Sequence, residues 1–117
     1  MAGKNALVIL VDGVEELEAV APIDCLRRAG AEVTVASASA RREVAGRNRI
    51  TLTGEALLEE VAGVEYALVV VPGGPGHKEL AKNRTVLQLL HRQHAAGRLI
   101  GSICAGPVVL KEAGVLR

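Results

Sequence analysis

Tryptophan and phenylalanine are absent from this 117-residue chain, and Tyr66 is its single aromatic residue. Proteins that grip single-stranded nucleic acid or sandwich a flat ring do so with stacked aromatics, so those functions lose their usual platform. Cysteine is scarce too: two residues exclude a disulfide framework and make a reducing, cytoplasmic setting the expectation. No charge dominates. The 14 basic and 13 acidic side chains give a formal net charge of +1, with no long-range field to draw in nucleic acid or an anionic membrane. No apolar run approaches the ~20 residues of a membrane span. The early run "ALVILV" follows Lys4 as a signal peptide's would, but Asp12, Glu15 and Glu16 come at once, with no small-residue cleavage site before them. A buried strand is the better reading. The phosphate-binding Lys-Ser/Thr loop and the dinucleotide glycine spacing are also missing, which makes a nucleotide- or flavin-binding module the weakest reading.

What the chain does have is apolar residues, half of the total, enough for one small domain with one core over residues 1–117. Apolar, β-branched runs at 6–11, 32–37, 50–53, 66–71 and 98–103 read as strands. Helical patterns fill 14–30, 55–63, 84–97 and 106–114. The polar stretch 41–49 reads as a loop or hairpin, and "PGGPGHKE" at 72–79 as a glycine-rich turn. Five strands separated by helices predict a doubly wound α/β domain with a mainly parallel sheet. Such sheets bind ligands beyond the carboxyl ends of their strands, and three turns lie there: 12–16, 72–76 and 103–106. The last helix ends near the C-terminus with no strand to follow. A further C-terminal segment, missing or present as a separate chain, is expected to complete the domain, and the basic Arg117 would suit cleavage there.

Each of those turns carries chemistry. Cys104 sits between a buried strand and a helix, boxed in by Ala105 and Gly106. The residues alone leave two readings side by side, an inert core cysteine and a reactive thiol placed like a nucleophile elbow, where a helix N-terminus favours thiolate. The glycine run is either an ordinary turn or a set of backbone donors, with Gly73, Gly74 and Ala105 holding an oxyanion. Glu15, Glu16 and Asp24 read as a solvated helix face. Glu18 differs, because Pro22 removes the hydrogen bond to its carbonyl and predicts a kink there. As a neutral acid, Glu18 would donate to the thiolate and shuttle protons. Cys25 reads as core packing. His91 and His94 read as a surface helix face rather than a metal site, for want of a third ligand. His77, next to the glycine turn, could line a pocket mouth and is assigned no further role.

The segments "ALVILVDGVEELEAVAPIDCLRRAGAEVTVA", "VVVPGGPG" and "SICAGPVVL" resemble the ThiJ/PfpI superfamily, in its DJ-1 branch, over essentially the whole chain. The resemblance implies a flavodoxin-like sandwich, a homodimer and no cofactor. It implies glutathione-independent glyoxalase activity on 2-oxoaldehydes such as glyoxal and methylglyoxal, with deglycase activity on their protein adducts. A redox-sensing, chaperone-like role that reports through Cys104 oxidation is the alternative. The family nucleophile falls on Cys104 and its protonated glutamate on Glu18. The oxyanion donors fall on Gly74 and Ala105, with Gly73 adjacent, and an arginine near the partner's site falls on Arg47 or Arg49. Ala105 stands where peptidase-like branches carry histidine, which argues against peptidase activity. The family's site histidine falls beyond Arg117.

Overall fold

The computed structural model describes residues 3–104 and 106–115. Strand β1 (Asn5–Leu10) lies at the centre of a five-stranded sheet. The residues Ala6, Leu7, Val8 and Ile9 are all 0% exposed. Side chains alternate faces along a strand, so a run buried at every position requires cover on both faces. That is why the sequence shows no polar alternation here. Each buried Leu, Ile or Val contributes about 1.5–3 kcal/mol of apolar burial.

Helix α1 (Glu16–Arg28) returns the chain to β2 (Glu32–Ser37), which pairs in parallel with β1 from Asn5↔Glu32 to Leu10↔Ser37. The helix stops at Gly30, whose φ of +91° suits glycine; its N–H donates to the Arg27 carbonyl, and the Ala31 N–H to that of Leu26. A small antiparallel hairpin follows, β3 (Glu43–Ala45) with β4 (Thr51–Thr53). Then come the two-residue edge strand β5 (Ala56–Leu57), the single turn α2 (Leu58–Val61) and β6 (Leu68–Val71). After β6 the chain forms α3 (His77–Leu80), α4 (Arg84–Ala95), β7 (Leu99–Ser102) and α5 (Gly106–Glu112). Asn83 caps α4, its side chain accepting from the Val86 N–H at 3.1 Å.

The main sheet runs β5-β2-β1-β6-β7 and every pairing in it is parallel. The expected α/β class and parallel sheet are therefore present, with one substitution of strands. Residues 50–53 leave the main sheet and pair with 43–45, and the edge position belongs to Ala56–Leu57, expected as helix. Glu55 explains the exchange: its carboxylate accepts the Val35 N–H at 2.9 Å and meets Arg27 at 3.1 Å, anchoring 55–57 against β2. The expected turn at 72–79 also hides the short helix α3.

Chain direction across the sheet reverses between β1 and β6, since β2 lies to one side of β1 and β7 beyond β6 on the other. The crevice at that switch, beyond the carboxyl ends of β1, β6 and β7, is where the three expected turns converge.

Candidate active site

Glu18 and Cys104, 86 positions apart in sequence, meet across Gly73. The Gly73 N–H donates to Glu18 Oε1 at 2.9 Å. A Cβ built on Gly73 would lie 2.5 Å from that same oxygen, 2.8 Å from the Ile103 carbonyl oxygen and 2.9 Å from Cys104 Cβ. The carboxylate and the cysteine thus press on one face of one glycine, and any side chain there would separate them.

Cys104 leaves β7 through a tight turn: the Ile103 N–H donates to the Val71 carbonyl at 3.3 Å, and the Gly106 N–H to the Ile103 carbonyl at 2.8 Å. Cys104 takes φ = +55°, a left-handed conformation that side-chain-bearing residues rarely adopt. Such strain collects at functional positions. Its side chain is exposed among the described residues. Gly106 lets α5 start against β6, since a Cβ there would fall 2.5 Å from the Val71 carbonyl oxygen.

The glycine turn is tied to the start of α1, with the Gly73 carbonyl accepting the Glu15 N–H at 3.0 Å. Gly74 has φ = +106°, and a Cβ on it would meet the Glu15 N at 2.5 Å, so only glycine fits. No acceptor meets the Gly74 N–H among the described residues. Gly73 differs from the expectation of an oxyanion donor: its N–H is directed at Glu18. Ala105 lies outside the described residues.

Sequence reasoning missed the role of the 43–53 hairpin. The Asp12 carboxylate accepts the Ala45 N–H at 2.9 Å, the Ala45 carbonyl accepts the Gly13 N–H at 2.8 Å, and the Val14 carbonyl accepts the Arg47 N–H at 2.9 Å. Glu16 completes the join and corrects its assignment to a solvated face. It is 5% exposed, and its carboxylate accepts the Asn48 N–H at 2.8 Å, the Ile50 N–H at 3.1 Å and the Asn48 side-chain amide at 3.0 Å. Burial pushes the Glu16 carboxyl up, and the backbone and Asn48 hydrogen bonds outweigh it, holding the pKa below its ordinary value. Gly46 must be glycine, because a Cβ there would fall on the Glu16 carboxylate.

This join carries Arg47 to the site, where its guanidinium lies 3.4 Å from the Glu15 carboxylate. Arg47 lines its own chain's pocket of about 410 Å³, together with Glu15, Glu18, Gly74, Pro75, His77, Lys78 and Cys104. Arg49 does not line it; it occupies the hairpin turn with φ = +66°. His77 lines the pocket wall, where its place next to the glycine turn put it. Cys25 corrects the core expectation: it is exposed on α1. Asp24 is solvated as expected and pairs with Arg28 at 2.9 Å. His91 and His94 lie exposed on α4. Helix α1 continues through Pro22 to Arg28. Among the described residues no three His, Cys, Asp or Glu side chains cluster as metal ligands would, and no helix is long and apolar enough to cross a membrane.

Residues 4–117 match the model of the DJ-1/PfpI family. The chain is 39% identical over 117 residues to the zebrafish (Danio rerio) Parkinson disease protein 7 homolog, covering 98% of this chain and 62% of that protein. It is 34% identical over 116 residues to the glutathione-independent glyoxalase DJR-1.2 of Caenorhabditis elegans, again covering 98% and 62%. Among solved structures, Toxoplasma gondii DJ-1 in its oxidized form superimposes with a TM-score of 0.94 at 36% identity, covering 97% of this chain and 63% of that one. Drosophila melanogaster DJ-1beta does so with a TM-score of 0.93 at 40% identity, covering 98% and 62%. The chain therefore spans less than two thirds of the length of these relatives. With the sheet order, the three converging turns and these likenesses in agreement, the chain belongs to the DJ-1/PfpI family, in its DJ-1 branch.

Proposed function

We propose that this protein converts 2-oxoaldehydes to 2-hydroxy acids without glutathione or any cofactor, with Cys104 as nucleophile and Glu18 as proton relay. The observation that carries the proposal is the Glu18–Gly73–Cys104 junction, a carboxyl group and a strained, exposed thiol on one glycine at the switch point of the sheet. The name of the glyoxalase relative supports the substrate class.

The chemistry is internally balanced. The Cys104 sulfur bonds to the aldehyde carbon, and the carbonyl pair moves to oxygen, which the Gly74 N–H and the expected Ala105 donor hold. Glu18 removes the hydrogen of that carbon as a proton, and the freed pair forms the enediol with the neighbouring carbon. The hydroxyl proton of the first oxygen passes to the neighbouring oxygen, and return of the carbon-derived proton to the neighbouring carbon leaves it an alcohol while the first becomes a thioester. Water then cleaves the C–S bond, releasing the hydroxy acid and the thiol. One carbon is oxidised and its neighbour reduced, so no outside electron carrier takes part. Protein adducts of the same dicarbonyls present the same carbons, which extends the reading to deglycase chemistry. Arg47 supplies a positive charge at the pocket rim.

Two assembly steps belong to the proposal. Leu17, Val20 and Ile50 are 75%, 45% and 54% exposed, apolar surface on α1 and the hairpin that a second copy would cover as a homodimer. Strand β7 ends the described sheet with an open edge. The part of the relatives' length that this chain lacks is proposed to complete the domain there, as one further segment.

The experiment is stoichiometric conversion of methylglyoxal to lactate in glutathione-free buffer by the native preparation, compared with Glu18→Gln. The proposal expects one lactate per dicarbonyl and a loss of about 10²-fold or more in Glu18→Gln. Consumption of dicarbonyl with no lactate would refute it.

The exposure of Cys104 supports a second reading, a redox sensor that reports through sulfinic oxidation of this thiol. Peptide mass after mild peroxide separates the two: selective gain of two oxygens at Cys104 in a protein that makes no lactate favours the sensor.

A further inference from the structure

Asn48 stands between two carboxylates at the start of α1. Its side-chain amide donates to Glu15 Oε1 at 2.9 Å and to Glu16 Oε1 at 3.0 Å, and its backbone N–H donates to Glu16 Oε2 at 2.8 Å. An ionised carboxylate only accepts, so the amide nitrogen faces both and both of its hydrogens are committed. Aspartate here would set a third acceptor against two, serine offers one hydrogen and leucine none. Neighbouring carboxylates repel, and a neutral double donor holds them side by side without adding charge.

Glu15, expected on a solvated helix face, has a side chain only 22% exposed and lines the Cys104 pocket. Its backbone N–H is fixed on the Gly73 carbonyl at 3.0 Å. With Oε1 held by Asn48, Oε2 faces the Arg47 guanidinium at 3.4 Å. The contacts Glu16–Asn48–Glu15–Arg47 thus run from a buried anchor to the pocket wall. The Arg47 side chain is 60% exposed, and an ion pair that open to water holds its own geometry weakly. We propose that Asn48 is a positioning residue of this pocket: through Glu15 it sets where the Arg47 charge stands relative to Cys104. It touches no reacting atom itself. This rests on the reading of the Cys104 pocket as the active site.

Asn48→Leu tests it, because leucine keeps the backbone bond to Glu16 and removes both side-chain donors. KM for methylglyoxal should rise about 2- to 5-fold, the range of one exposed charge interaction, with kcat changed less. Asn48→Ser, with one donor, should fall between, and serves if the leucine variant does not fold. A readout independent of turnover is the ratio of Cys104 alkylation rates by iodoacetate and iodoacetamide, followed by peptide mass so that Cys25 does not interfere. The two reagents differ by one negative charge, so the ratio reports the field at the sulfur. It should fall about 2- to 5-fold in Asn48→Leu, and by less at high salt. In an Arg47→Met background, Asn48→Leu should change neither KM nor the ratio further. An asparagine that only stiffened the hairpin would leave the ratio at its native value, or add its effect to that of Arg47→Met. Either result would overturn the proposal. Lactate formation that survives Cys104→Ala would instead remove the active-site reading beneath it, while the alkylation ratio still judges Asn48, so the two failures are separable.

Discussion

Gly73 binds Glu18 through its N–H at 2.9 Å and has no room for a side chain between that carboxyl group and Cys104. Geometry of this kind makes a glycine part of the site without giving it a reacting atom. Gly73→Ala should therefore act on activity more than on folding. A methyl 2.5 Å from Glu18 Oε1 and 2.9 Å from Cys104 Cβ must push them apart. We expect a stability loss of about 1–3 kcal/mol from overpacking. Lactate formation should fall by about 10²-fold or more, since ångström-scale misplacement of reacting groups costs that much. Steady-state kinetics beside a denaturant melt would show both.

Cys104 pays in backbone strain for its place in the turn. At φ = +55° a side-chain-bearing residue costs about 1–2 kcal/mol relative to glycine, partly offset by glycine's looser unfolded state. Cys104→Gly should be at least as stable as Cys104→Ala, by up to about 1 kcal/mol, with both inactive. Chemical denaturation of the pair checks this, and a less stable glycine variant would show that the turn is unstrained.

Glu16 fastens the hairpin, and the fastening depends on pH. Its pKa is lowered in the folded protein from the ordinary 4.5. Its contribution to stability is therefore complete above that ordinary value and is lost as pH falls through the lower, folded value. Glu16→Gln should flatten the acid side of the melting-temperature profile below about pH 4.5. The same variant should raise KM more than it lowers kcat, because Arg47 is carried by the hairpin while Cys104 and Glu18 are not. Thermal melts across about pH 3–7 and kinetics at neutral pH measure the two effects.

The apolar face of α1 offers a fourth prediction. Leu17→Glu with Ile50→Glu should convert a dimer to monomer in sedimentation velocity by burying charge in the contact. A dimer that persists would place the contact elsewhere.

The sequence made the layout of the site legible because three signals are local: a fully apolar strand, a glycine turn and a cysteine between strand and helix. What it hid was non-local. Glu16 looks like any helix-face acid, because its donors at Asn48 and Ile50 are backbone amides more than 30 positions away and carry no sequence signature. Cys25 looked buried beside Ile23 and Leu26, yet adjacent helix positions face different ways, and its own face is solvent. The edge strand Ala56–Leu57 is too short for any periodicity to show. Arg47 could be placed near a site only by resemblance; the hairpin's hydrogen bonds to 12–16 put it on its own chain's pocket.

The most direct measurement sets the two cysteines against each other. Methylglyoxal is supplied without glutathione, and lactate is followed for the native protein, Cys104→Ala and Cys25→Ala. The account predicts background lactate from Cys104→Ala and native rates from Cys25→Ala. Lactate formed at the native rate by Cys104→Ala would contradict it.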